Sequence, residues 1–140
     1  MKNIAFTLIE LLVVLAIVGV LSVVAFTHYR GTVEQTLDRE AEANLRLIMA
    51  AERIYQMEDD NRQYYVSTGA TTQQHVQNIN NNLRLSLPNA ANRNWNYRTF
   101  ANNIVNPRTC CVQADRNATP VRKWRIRNTE DNPVMGGTCP

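Results

Sequence analysis

Charge is nearly missing from one stretch of the chain: between Phe6 and Thr27, Glu10 is the one charged residue. Only one such stretch exists, which excludes a multi-span membrane protein, and its presence excludes a plain soluble domain. Proline is absent between Ala5 and Pro88, so no proline interrupts a helix in that interval. The chain also lacks a Gly-rich phosphate loop, a nucleophile elbow and a His pair at ligand spacing. No catalytic constellation is legible, and neither an enzyme nor a cofactor is expected. Internal repeats and low-complexity linkers are missing as well. What is there is 140 residues, one membrane-length segment joined to a polar domain that can build only a small core.

As a helix at 1.5 Å per residue the apolar run would be about 33 Å long, against roughly 30 Å of hydrocarbon. It can cross a bilayer once. Lys2 is the one charge ahead of it and favours a cytoplasmic N-terminus, although His28 and Arg30 at the far end weaken that inference. A secretory signal peptide cut near Ser22–Ala25, a simple signal anchor and a buried core helix are the plain alternatives. The run exceeds the usual h-region of a signal peptide, and it holds Glu10. A carboxylate inside a membrane segment costs a few kcal/mol and needs a partner or a function. The run contains no Lys, Arg or His, so the partner is expected on another chain.

The residues Ala5-Phe6-Thr7-Leu8-Ile9-Glu10-Leu11-Leu12-Val13-Val14 resemble the class III leader junction of type IV pilins and type II secretion pseudopilins. The resemblance covers about the first 25 residues. It implies cleavage between Ala5 and Phe6 by a membrane prepilin peptidase, which also N-methylates Phe6. Glu10 becomes the fifth residue of the mature chain. Two departures stand out: Ala5 occupies the place where the family usually has Gly, and Thr27 a place where it often has Pro. The resemblance implies a leader at 1–5, a transmembrane and filament-core segment at 6–27, and a periplasmic or extracellular domain at 28–140. It implies a single-pass bacterial inner-membrane protein that then enters a cell-surface pilus or a periplasmic pseudopilus. Its partners would be copies of itself in a helical filament, the peptidase/methyltransferase, the inner-membrane assembly platform with its ATPase, and lipid before assembly.

Helical periodicity continues past the apolar run. Val33, Leu37, Ala41, Leu45, Ile48 and Tyr55 recur at spacings of three, four or seven, with Glu34, Asp38, Arg39, Glu40, Glu42, Arg46, Glu52 and Arg53 on the other faces. The pattern predicts one helix from Phe6 to about Glu58, ended by Asp59-Asp60-Asn61, or two helices hinged near Gly31. A shorter helix follows, with Thr72 near its N-cap and Val76, Ile79 and Leu83 on one face. Leu83, Leu85 and Leu87 alternate up to Pro88. Strands are predicted at Trp95–Phe100, at Thr109–Asp115 with Cys110, Val112 and Ala114 on one face, and at Val121–Asn128 with Trp124 and Ile126 alternating with Lys123, Arg125 and Arg127. Arg116–Pro120 is the turn between the last two, and the tail from Asn132 is irregular. The expected fold class is α+β: a long N-terminal helix whose second half packs on a small antiparallel sheet, which is also the pilin-like architecture that the resemblance implies.

Three cysteines, Cys110, Cys111 and Cys139, leave one thiol over if a disulfide forms. A bond between the adjacent pair would be strained, so Cys139 is expected to pair with Cys110 or Cys111, pinning the tail to the sheet. Pilins with a disulfide-closed C-terminal loop are similar. Three cysteines and two distant histidines, His28 and His75, do not make a metal site. Glu130 and Asp131 are too few for calcium. Charge is segregated: residues 28–62 hold eight acids against five Arg, and residues 63–140 nine bases against three acids. Lys123, Arg125 and Arg127 could bind an anion, DNA included, or form a solvated strand face that discourages edge pairing. Tyr64, Tyr65, Trp95 and Tyr97 could stack on bases or fill a core. Asn117-Ala118-Thr119 matches a glycosylation acceptor, which a bacterial export route makes irrelevant. The function so implied is a structural pilus subunit, with a secretion pseudopilin and a DNA-binding minor pilin as alternatives.

Overall fold

A computed structural model describes residues 7–104 and 107–140. The chain forms two compact units, Met1–Leu37 and Asp38–Pro140. Helix α1 spans Leu8–Glu58 and contributes to both. It is continuous through Gly31, so a hinged pair of helices is not what forms. Gly19 and Gly31 have open space where a Cβ would stand; neither marks a close approach within the chain. The helix ends as its sequence suggests. Asp59 Oδ2 accepts the Asn61 and Gln63 amides at 3.1 and 2.9 Å, and Arg62 turns the backbone at φ 52°.

In the second unit α1 buries Ala41, Leu45, Ile48 and Met49 against a four-stranded antiparallel sheet in the order β1-β2-β3-β4. The strands are β1 (Trp95–Asn102), β2 (Thr109–Arg116), β3 (Lys123–Arg127) and β4 (Val134–Met135). Trp95 and Tyr97 from β1, Cys110, Val112 and Ala114 from β2, and Trp124 and Ile126 from β3 face the helix. Asn44 Nδ2 donates to the buried Tyr97 hydroxyl at 2.8 Å. Asp38 Oδ2 pairs with Arg122, and Asp38 Oδ1 accepts from Trp124 Nε1 at 3.3 Å. Helix α2 (Thr72–Asn82) packs beside β1 through Val76 and Ile79. Its N-cap is Thr71, one residue earlier than expected, in a full capping box with Gln74. This fold is the α+β arrangement expected.

Two local expectations are corrected, and the alternating Leu83, Leu85 and Leu87 prove to be a helix cap and a loop. Leu83 caps α2, Arg84 turns the chain at φ 54°, and the Asn80 amide takes both backbone groups of Leu87. The tail is not wholly irregular, since β4 pairs with Trp124 and Arg125. Glu52 is not on an outer polar face. It lies four residues after Ile48 and three before Tyr55, on the core stripe itself, and is fully buried.

Candidate assembly and processing site

The expected cleavage pair, Ala5 and Phe6, lies outside the described residues. The first described turn of α1 places Glu10 against Thr7. The Thr7 hydroxyl accepts the Glu10 amide at 3.3 Å and stands 3.5 Å from Glu10 Oε2. Thr7 thus begins the helix in the manner of an N-cap, with an acid three residues on that offsets the helix dipole. Thr7-Leu8-Ile9-Glu10 is a Ser/Thr-x-x-Glu pattern, a local signal hidden at the start of the apolar run.

From Leu8 to Phe26 every described side chain is exposed. Leu8 is 84%, Val20 68% and Val23 67% accessible, values that would be untenable in water over so long a run. The helix is long and apolar enough in this region to cross a membrane. At its far end the Arg30 guanidinium stands 4.9 Å from the Phe26 ring centroid.

Residues 1–26 match the family model described as the prokaryotic N-terminal methylation motif. The chain carries a class III leader of the pilin and pseudopilin type. The motif and the apolar helix together fit membrane anchoring before assembly. Comparison with curated proteins and with solved structures finds no match.

The other expected site residues lie in the second unit. Cys111 is bonded to Cys139, with Cα atoms 5.8 Å apart, and Cys110 is a buried free thiol. Burial, and secondarily the Glu52 carboxylate, push the Cys110 thiol well up, so it is inert rather than nucleophilic. The face of the sheet away from α1 carries Phe100, Cys111 and Arg127 in one cross-strand row. Arg98, Gln113 and Arg125 make the next, and Asn96, Asp115 and Lys123 the third. The disulfide draws the tail across this face. Cys139 N–H donates to Gln113 Oε1 at 2.9 Å, and a Cβ at Gly137 would collide with the Arg125 side chain.

Lys123, Arg125 and Arg127 do share this face, but not as three free cations. Lys123 Nζ is 3.9 Å from Asp115 Oδ1, and Arg125 Nη1 is 2.8 Å from Glu130 Oε1. The same Glu130 accepts the Arg127 backbone amide at 2.9 Å, while the Arg127 side chain is exposed. Two of the three charges are therefore paired within the unit, which weakens the field that an anion would meet. Tyr64, Trp95 and Tyr97 are buried and Tyr65 packs against the core. They fill the interior and form no stacking platform.

Proposed function

We propose that the chain is the precursor of a structural subunit of a type IV pilus or a related filament. The observation that carries the reading is the methylation motif at residues 1–26 on a helix whose apolar residues from Leu8 to Phe26 are all exposed. The prepilin peptidase/methyltransferase cuts between Ala5 and Phe6 and methylates Phe6. Segment 6–27 holds the subunit in the inner membrane, with its N-terminus cytoplasmic before processing, and residues 28–140 stand outside. The assembly platform and its ATPase then move the segment from lipid into a bundle of identical helices, where it stays apolar in an apolar surround. In that bundle Glu10 pairs with the α-amino group of a neighbour's Phe6. The role is structural and not enzymatic. A secretion pseudopilus would use the same processing and the same fold. The internal pairing of Lys123 and Arg125 argues against a DNA-binding role.

Intact-protein mass spectrometry of the membrane-extracted chain tests the processing. The expected product begins at Phe6 and carries one methyl group. A product beginning near Phe26 would mean a secretory signal peptide and would end the filament reading.

A further inference from the structure

Glu52 places a carboxyl group where the periodicity of α1 calls for an apolar side chain. It is 0% exposed. Its Oε2 accepts the Tyr65 amide at 2.9 Å, and its Oε1 has no hydrogen-bond partner. The groups around it come from four elements. Tyr55 lies one turn on along α1 and meets the Tyr65 ring edge-on at 5.8 Å. The segment 63–68 brings Tyr65, β1 brings the Thr99 hydroxyl, and β2 brings the Cys110 thiol. Beyond Thr99, Ser67 Oγ meets His75 Nδ1 at 3.1 Å, on α2. None of the groups that set the titration of Glu52 is a cation.

The segment 63–68 does more than cover Glu52. β1 is the outermost strand of the sheet on that side, and this segment runs along its free edge. Ser67 N–H donates to Thr99 Oγ1 at 2.9 Å, and Thr99 N–H returns to Ser67 Oγ at 3.0 Å. Tyr64 and Asn103 exchange a further pair of hydrogen bonds at 3.0 and 2.9 Å. A sheet edge is thereby closed to other chains, by the same stretch that seals the carboxyl group.

We propose that Glu52 is a proton-operated latch: protonated, it lies sealed beneath residues 63–68, and ionised, it drives that segment off α1 and off the β1 edge. A carboxylate with one bonded oxygen and no counter-charge is costly in a dry interior, and admitting water is the direct relief. Burial pushes the Glu52 carboxyl up from 4.5 to about 7, against the smaller opposing effects of the Tyr65 amide and the Thr99 hydroxyl. Tyr65 and Cys110 are also pushed up, chiefly by burial, so neither supplies a competing charge. The closed state holds its proton more tightly than the open one. Its advantage is complete below the open-state value of 4.5 and is lost as pH rises toward about 7. The device stands independently of the filament reading.

Amide hydrogen exchange on the full chain in detergent micelles tests it. Between about pH 5.5 and about pH 8 the protection factors of the Tyr65 and Ser67 amides should fall on the order of 30-fold. In Glu52→Gln, which keeps the shape and cannot ionise, they should stay level. A wild-type fall below about threefold, or an equal fall in Glu52→Gln, overturns the proposal. Should the variant not fold, the side-chain carboxyl resonance of Glu52 in the wild-type chain decides. A titration midpoint near neutrality that the Tyr65 amide shift follows supports the latch, and a midpoint in the ordinary glutamate range removes it.

Discussion

Removing the Cys111–Cys139 bond should cost the domain more than any single surface substitution. The two residues are 28 apart in sequence. The chain-entropy relation for a loop of that size gives about 12 cal/mol/K, or about 3.5 kcal/mol at 25 °C. That is a large fraction of the stability of a small domain. The loss should stay near this value, because the tail has other attachments. Gly136 N–H donates to the Lys123 carbonyl at 2.8 Å, β4 pairs with β3, and Cys139 N–H reaches Gln113. These bonds keep the native tail in place and leave the change mainly in the unfolded chain. The perturbation is Cys111→Ala with Cys139→Ala in the full chain in micelles, unfolded by urea. Trp95 and Trp124, both buried, report by fluorescence. The midpoint should fall by an amount equivalent to about 3 kcal/mol, with a steeper dependence on urea because the uncrosslinked chain exposes more surface. A loss under about 1 kcal/mol would refute the argument that the bond acts by closing this loop. Cys110→Ala should keep the disulfide; its disappearance there would mean that the pairing is wrong.

Thiol titration should find no reactive group in the native chain and one in the unfolded, unreduced chain, because Cys110 is buried and held protonated. Thr71→Ala removes the hydroxyl that accepts the Gln74 amide at 3.2 Å; it should lower stability by about 1 kcal/mol in the same urea assay. Glu10→Val should still be inserted and cleaved but enter filaments poorly, with Glu10→Gln intermediate at best, as judged by sheared surface filaments. Thr7→Ala separates the helix cap from pairing between subunits: it should cost helix stability only, about 1 kcal/mol, and leave filament yield unchanged. Equal assembly of Glu10→Val and wild type without other pilins would remove the pairing account.

The elements legible in the sequence are those with an uninterrupted period. Ala41, Leu45 and Ile48 announce the buried face of α1. Thr71 to Gln74 announces the start of α2, displaced by one residue because Thr71 and Thr72 both suit a cap and only the Gln74 side chain chooses between them. β1, β2 and β3 lie within one or two residues of the alternating runs. What stayed hidden depends on contacts from far along the chain. β4 is two residues of Val134–Met135 with no pattern of its own, and β3 defines it. Leu83 to Leu87 alternates like a strand, yet Asn80 holds Leu87 in a loop. The charge of Glu52 argues for an outer face, but its spacing from Ile48 and Tyr55 puts it on the buried stripe. The methylation motif at residues 1–26 was legible because it is one contiguous run of residues. Glu10 has a local cap that the sequence spells as Thr7-Leu8-Ile9-Glu10.

The adjacent cysteines separate for a reason that needs only the geometry of a strand. Successive side chains in β2 point to opposite faces, so Cys110 and Cys111 cannot share one environment. Cys110 stands opposite Ala101 and on the face of Val112 and Ala114, all turned to α1. Cys111 stands between Phe100 and Arg127 on the other face. Placing Cys110 with Val112 and Ala114 was possible from the sequence, but it did not decide the pairing, because nothing there said on which side the tail would lie. That side is fixed by β4 joining the β3 edge and by Gly137 clearing the Arg125 side chain. Once the tail crosses the face away from α1, only Cys111 is within reach of Cys139. The same crossing puts Gln113 beneath the tail, where its Oε1 takes the Cys139 amide and its Nε2 holds Asp115 at 2.9 Å. Asp115 in turn stands beside Lys123. The row that looked like a cationic strip is thus part of the face that the fastened tail crosses, with Lys123 and Arg125 paired to Asp115 and Glu130.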